Sequence, residues 1–224
     1  MNLKQLAAIK AVEMIEDGMK VGLGTGSTAY WAIQEIGRRV KEEGLRIETV
    51  ATSQASEDLA RELEIPILPF SEIPHLDLTI DGADEVDPQL NLIKGGGGAL
   101  LREKIVASNS DKLIIIVDES KSVETLGAFA LPVEVVPFAC EWTLAALERL
   151  GCKPEWRVKD GEQFVTDNGN YIADCRIERI EDAPLLEQQL NRIPGVVDNG
   201  LFIDMASIVI VACSDGTIDV RNRK

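Results

Sequence analysis

Residues 79–107, TIDGADEVDPQLNLIKGGGGALLREKIVA, place Asp81, Asp84, Glu85 and Asp87 ahead of Lys94, four consecutive glycines and a helix-like run that carries Glu103. Carboxylates, a cation and bare backbone in so short a stretch suit proton abstraction beside a carbonyl. A carbon acid of that kind is very weak. A carboxylate base succeeds only where the developing enediolate oxygen meets a cation or oriented N–H groups. Glu103 can be the base, Lys94 and the backbone of Gly95 to Gly98 can hold the oxyanion, and Asp81 and Asp84 can bind hydroxyls or shuttle protons between oxygens. Each group also has a plainer reading. Glu103 can be a first-turn acid favoured by the helix dipole, and the acidic run can be a solvated turn. The four acids can also bind a hard cation, although their spacing does not fit a calcium loop. Four adjacent glycines carry a large entropy cost that a plain loop does not require, and Asp81 ends a strongly apolar strand. It is the combination that favours a site.

A second glycine motif, GLGTGSTA, spans residues 22–29. Gly22, Gly24 and Gly26 allow close approach of backbone to an anion, and Ser27 and Thr28 open the next helix with N–H groups and hydroxyls, the makings of a phosphate cradle. A simple tight turn is the alternative. The dinucleotide fingerprint is met only loosely, by Gly24, Gly26 and Ala29, and the acid expected at the end of the next strand is replaced by Thr52 and Ser53. Thr52 and Ser53 end a strand and start a helix, and simple helix capping by Ser53 is the better reading there. Lys121, after the apolar run LIIIVDES, can face the Ser27 and Thr28 loop with a charge suited to a dianion.

The elements that must hold these residues alternate. Asn2 and Gln5 have helix-start spacing, and Leu6, Ile9, Val12 and Ile15 recur at close to one helical turn. Short apolar runs then alternate with amphipathic helices as far as KLIIIVDES, the pattern of a mostly parallel, Rossmann-like sheet covered on both faces. From Leu131 the order becomes strand, helix, two strands, helix, strand, a split βαβ module. The expected fold is therefore α/β: a catalytic sheet domain at 1–130 plus 205–224, and a smaller α+β, ferredoxin-like domain at 131–204. In a parallel sheet ligands gather at the carboxyl ends of strands, and both glycine motifs fall there.

Composition narrows the function. Apolar residues at 45% and charged ones at 27% are ordinary for a soluble globular chain. No apolar run approaches the ~20 residues of a membrane span. The N-terminal 20 residues read as an amphipathic helix and not a signal peptide, so a cytoplasmic location is expected. A formal charge of −15 argues against nucleic acid as a partner. Cys140, Cys152, Cys175 and Cys213 are too far apart for a paired zinc motif and read as buried thiols. With one histidine, His75, the chain lacks the metal-ligand set of a hydride-shift isomerase, and no metal is expected. His75 itself reads as a surface or capping residue.

GLGTGSTA, TIDGADEVD, KGGGGALLREKIVA, LPVEVVPFA, VTDNGN and IPGVVDNGLF resemble, in the same order, the signatures of the type A ribose-5-phosphate isomerase family, and the resemblance covers essentially the whole chain. It implies interconversion of D-ribose 5-phosphate and D-ribulose 5-phosphate through an enediolate, in the non-oxidative pentose phosphate pathway, without a cofactor. Glu103 matches the general base; Asp81, Asp84 and Lys94 match the ring-opening and oxyanion group; Ser27, Thr28 and Lys121 match the phosphate site. Gly24, Thr25, Gly26, Gly82, Gly95, Gly96 and Gly97 complete the implied substrate-binding set. A phosphate-binding lysine of relatives falls near Lys4. The family also implies a homodimer or homotetramer. Three other classes compete. A sugar-phosphate sensor of a transcription regulator needs an attached DNA-binding domain. A coenzyme A transferase would use a glutamate near glycines as a nucleophile. A nicotinamide-dependent dehydrogenase needs the ribose-binding acid that Thr52 and Ser53 replace.

Overall fold

The computed structural model of the chain describes residues 2–223. In chain order the elements are α1 (Leu3–Val12), β1 (Lys20–Leu23), α2 (Ala29–Arg38), β2 (Glu48–Ala51), α3 (Gln54–Glu62), β3 (Leu78–Gly82), β4 (Glu85–Val86), β5 (Leu92–Ile93), α4 (Leu100–Ser108) and β6 (Leu113–Asp118). There follow β7 (Leu131–Val135), α5 (Cys140–Arg149), β8 (Lys153–Trp156), β9 (Val158–Lys159), β10 (Glu162–Gln163), β11 (Tyr171–Arg176), α6 (Ala183–Leu190), β12 (Val196–Asn199), β13 (Leu201–Phe202), β14 (Ile208–Ala212) and β15 (Ile218–Asn222). Packing divides them into two compact units. The first takes in residues 1–83, 102–122 and 205–224, the second 84–101 and 123–204. The second thus includes 84–101 and 123–130 as well as the stretch 131–204 expected to form a small domain.

The first unit is built on a six-stranded sheet in the order β15, β14, β6, β3, β1, β2, parallel throughout except for β15 at one edge. Parallel strands are covered on both faces and read as continuous apolar runs; Leu113 to Val117 of β6 are all buried. Val21, Leu23, Ile33, Ile36, Ile80 and Ile114 form the centre of its core. Asn2 caps α1 by accepting the Lys4 N–H at 3.1 Å. The buried face of that helix differs from the expected stripe: Ala7, Ala8, Ala11 and Val12 are buried, while Ile9 is 37% exposed. Alanines bring a helix axis close to its neighbours, and α1 packs on α2, β6 and β14. Of the expected stripe, Val12 and Ile15 are buried and Leu6 packs on the core, so only Ile9 departs from it, and the alanines extend the buried face.

The second unit contains the strand, helix, two strands, helix, strand sequence expected after Leu131. Its four strands form an antiparallel sheet in the order β12, β7, β11, β8. One face buries Leu131, Val133, Val135, Ala173 and Cys175 together with Leu147 of α5 and Leu190 of α6. Smaller pieces complete the unit: a three-stranded sheet β13, β5, β4 and the hairpin β9 to β10. Cys140, Cys152 and Cys175 are buried and Cys213 is half-buried, all as free thiols. Among the described residues no helix is long and apolar enough to cross a membrane.

His75 lies on the surface of the first unit, its Nε2 2.7 Å from Asp111 Oδ1. That hydrogen bond is the main cause of an imidazole pKa raised above the ordinary 6.5. A folded-state value above the unfolded one means that the pair's stabilisation is fully present below pH 6.5 and is lost as pH rises through the raised value. As the chain has a single histidine, one imidazole resonance reports it. In a proton NMR titration its midpoint should lie above 6.5 and fall back in Asp111→Asn. A midpoint unmoved by that substitution rules the pairing out in solution.

Candidate active site

In the first unit the chain leaves β1 at Gly24, whose N–H donates to Ile80 O of β3 at 2.9 Å. No other residue fits there. A Cβ on Gly24 would stand 2.2 Å from Asp81 Oδ1 and 2.6 Å from Asp81 Cα. Asp81, 1% exposed, uses that oxygen to accept the N–H groups of Thr25 at 3.0 Å and Gly82 at 2.8 Å. The Thr25 side chain turns inward. Its hydroxyl donates to Ser53 Oγ at 2.8 Å, Ser53 donates to Ser56 Oγ at 3.0 Å, and Ser56 donates to Gly24 O at 2.7 Å. Thr52 Oγ1, 2.7 Å from Thr25 Oγ1, donates to Leu23 O at 3.1 Å. Ser53 also caps α3, as expected, by accepting the Ser56 N–H.

Gly26, at φ +98°, turns the loop into α2, which begins at Ala29 with Thr28 as its N-cap residue. The Thr28 side chain makes no capping hydrogen bond, and Ser27 is exposed. Lys4 of α1 reaches this loop, Nζ donating to Ser27 Oγ at 2.8 Å. The helix register at Lys4, hard to fix from sequence, thus sets an ammonium beside a hydroxyl at a helix start. Lys121 ends a short 3-10 turn, Glu119–Lys121, that follows β6 and is capped by Asp118 accepting the Ser120 N–H at 3.1 Å. Glu103 lies in the first turn of α4 and is 3% exposed. Glu103 is therefore a buried first-turn acid and not a solvated one.

The second unit holds Asp84, Lys94 and the glycine run. Asp84 donates its N–H to Ile93 O at 2.8 Å, and its Oδ2 accepts the Gly96 N–H at 2.7 Å. A Cβ on Gly96 would stand 2.5 Å from Asp84 Oδ1, so a side chain there would displace that carboxylate. Lys94 is 2% exposed, with Nζ 5.4 Å from the centre of the Phe202 ring and its N–H donating to Gly200 O at 2.9 Å. Arg157 donates to Gly95 O at 2.8 Å and Gly96 O at 3.1 Å. No short-range pattern in the sequence announced that contact, because Arg157 is some sixty residues from the loop it grips.

The acidic run does not act as one group. Glu85 is buried and spans two backbone donors, Oε2 accepting Gly127 N–H at 2.7 Å and Oε1 accepting Phe129 N–H at 2.5 Å. Asp87 accepts the N–H and the side-chain amide of Asn91, at 2.8 and 3.0 Å. Both are anchors of local structure. Among the described residues no three His, Cys, Asp or Glu side chains are grouped to hold a metal ion. Of the expected site residues, Gly24 to Thr28, Asp81, Gly82, Glu103 and Lys121 belong to the first unit, and Asp84, Lys94 and Gly95 to Gly97 to the second.

Known proteins resemble this chain over essentially its whole length. The family model described as ribose 5-phosphate isomerase A (phosphoriboisomerase A) matches residues 48–216. The ribose-5-phosphate isomerase A of Streptococcus pneumoniae strain Hungary19A-6 is 53% identical over 223 residues, covering 100% of this chain and 98% of its own. Among solved structures, ribose 5-phosphate isomerase A from Methanocaldococcus jannaschii superposes with a TM-score of 0.93 at 42% identity, over 98% of both chains. A D-ribose-5-phosphate isomerase solved in complex with phospho-erythronic acid gives 0.95 at 41% identity, over 100% of both.

Glu85→Ala should strand two backbone donors, each costing about 1–3 kcal/mol, and lower the stability by about 3 kcal/mol in urea denaturation. Glu85→Gln retains one acceptor oxygen and should lose less. A change in Glu85→Ala below about 0.5 kcal/mol, typical of a surface site, is the result that removes the anchor role.

Proposed function

The chain belongs to the ribose 5-phosphate isomerase A family, and we propose that it interconverts D-ribose 5-phosphate and D-ribulose 5-phosphate through an enediolate. The observation that carries this reading is identity of 53% over 223 residues with a ribose-5-phosphate isomerase A. The relative bound to phospho-erythronic acid supports the chemistry. That ligand is a phosphorylated sugar acid, whose planar, anionic carboxylate has the shape and charge of an enediolate. In this reading the enzyme works in the cytoplasm, in the non-oxidative pentose phosphate pathway, as a homodimer or homotetramer without a cofactor.

Roles follow from the chemistry of each group. Glu103 takes the proton from C2 of the aldose and returns it to C1. At 3% exposed, its carboxylate is kept from bulk water. Lys94 and the N–H groups of the glycine run stabilise the enediolate oxygens. Asp81 and Asp84 bind the sugar hydroxyls and move protons between oxygens when the ring opens and when the enediolate is reprotonated. Ser27, Thr28, Lys4 and Lys121 receive the phosphate, where helix N–H groups and ammonium charges act together. Gly24 lets Asp81 pack against the loop backbone without side-chain interference.

Two experiments test this assignment. Wild-type enzyme acting on ribose 5-phosphate in deuterated water should incorporate deuterium at the exchanging carbon. Glu103→Gln keeps shape and most hydrogen bonding but cannot accept the proton; it should bind sugar phosphate and lose about 10²- to 10⁴-fold in kcat. A variant that keeps nearly full activity would falsify the role of Glu103.

For the phosphate, Lys4→Ala and Lys121→Ala should each raise KM for ribose 5-phosphate by about tenfold or more, the cost of one charge-assisted hydrogen bond. Turnover of free ribose, weak at the outset, should be unchanged. Equal losses on both substrates would assign these lysines to the fold and not to the phosphate.

A further inference from the structure

The guanidinium of Arg157 is aimed on both of its edges. Nε donates to Asp174 Oδ2 at 2.9 Å and Nη2 to Asp174 Oδ1 at 2.5 Å, a two-pronged pairing that fixes the plane of the group. Nη1 is thereby directed at the glycine run, where it donates to Gly95 O at 2.8 Å and Gly96 O at 3.1 Å. The Phe164 ring lies 5.8 Å from the guanidinium carbon. The same ring occupies the space a side chain at position 98 would need, 2.4 Å from a Cβ there. All of these residues belong to the second unit, and the Arg157 side chain is only 14% exposed.

Two consecutive peptide planes are set by this contact. The peptides at 95–97 are trans, so the C=O and N–H of each point in opposite directions. Gly95 O shares its plane with the Gly96 N–H, which donates to Asp84 Oδ2 at 2.7 Å. Gly96 O shares its plane with the Gly97 N–H. By holding both carbonyls, Arg157 turns one N–H toward Asp84 and the next away from itself. Without it the Gly95 carbonyl still takes the Gly98 N–H at 2.9 Å, but the Gly96 carbonyl loses its Nη1 donor, and glycine itself favours no one peptide orientation there.

We propose that Arg157, clamped by Asp174, is a positioning residue for the isomerisation: it fixes the peptide planes that orient the Asp84 carboxylate and the Gly97 N–H donor. The inference rests on the isomerase reading above, and nothing in the motifs that carry the family resemblance includes Arg157 or Asp174. Preorganised donors act on the transition state more than on the bound sugar, so the loss belongs in kcat. Lysine is no substitute, since one ammonium cannot hold a carboxylate at two points and two carbonyls in one plane.

The test is steady-state kinetics on ribose 5-phosphate with wild type, Arg157→Ala, Arg157→Lys and Asp174→Asn. Arg157→Ala should lose about 10²-fold in kcat while KM stays within about threefold. Arg157→Lys should not recover it. Ethylguanidinium ion at tens of millimolar should restore at least about tenfold of the lost kcat in Arg157→Ala, and ethylammonium at equal concentration should not. Should Arg157→Ala fail to fold, Asp174→Asn decides: it should fold and lose about tenfold in kcat at unchanged KM. The proposal is overturned if kcat stays within about twofold of wild type in the folded variants, if KM rises in step with kcat loss, or if ethylammonium rescues equally. Wild type that does not turn over ribose 5-phosphate would sink the isomerase reading; active wild type with unaffected variants sinks this inference alone.

Discussion

The structure depends on carboxylates seated against bare backbone. Asp81 lies over Gly24 and Asp84 over Gly96, and in each case the first carbon of any side chain would overlap a carboxylate oxygen. The contact is more than a matter of space. Each carboxylate takes a backbone N–H from the loop it covers, Thr25 in one unit and Gly96 in the other. The glycines therefore serve as a receiving surface as much as a flexible joint. Close approach and hydrogen bonding come from the same choice of residue, which is why these positions leave no room for compromise.

Around those contacts the scaffold is conventional in its physics. A parallel sheet brings the ends of β1, β3 and β6 to one edge, so that the loop after β1, Asp81 and the turn ending in Lys121 share the same end of the first unit. The stretch from Asp81 to Glu103 changes unit twice, after residue 83 and after residue 101. Twenty-three residues thus supply groups to both compact bodies. A local insertion or deletion there would shift catalytic candidates in either unit, whereas similar changes at the tip of the β9 to β10 hairpin, residues 160–161, would meet only exposed residues.

Much of this is legible in the sequence because its signals are local. Apolar runs such as LIIIV mark strands buried on both faces, and the glycine motifs mark places where backbone must be approached closely. The order of elements after Leu131 reads directly as the four-stranded module that the structure contains. What escapes is set by distance or by small residues. Much of the buried face of α1 is alanine, Ala7, Ala8 and Ala11 beside Val12, and a search for large apolar side chains passes over those three. Glu85 and Asp87 look like partners of Asp81 and Asp84, yet backbone donors at Gly127 and Phe129 and the amides of Asn91 claim them. Arg157 and Asp174 are an unremarked Arg and Asp until folding brings them to the glycine run. Lys4 gains its meaning from the register of one helix.

The chain of hydroxyls beneath the first glycine loop has a direction. Each hydroxyl has one proton, and the relay from Thr25 through Ser53 and Ser56 ends on the Gly24 carbonyl, which can only accept. Thr52 Oγ1 also reaches the Leu23 carbonyl, which the Thr52 N–H already serves at 3.0 Å. The last step is the locked one, because turning Ser56 round would take its hydroxyl from the Gly24 carbonyl. In this arrangement Thr25 gives its proton inward, and toward a ligand its oxygen shows lone pairs. A phosphate oxygen would be repelled there and a sugar hydroxyl welcomed. Two residues along the same loop, Ser27 and its neighbouring ammonium offer the opposite preference, so one short turn can tell the neutral part of a ligand from its charged end.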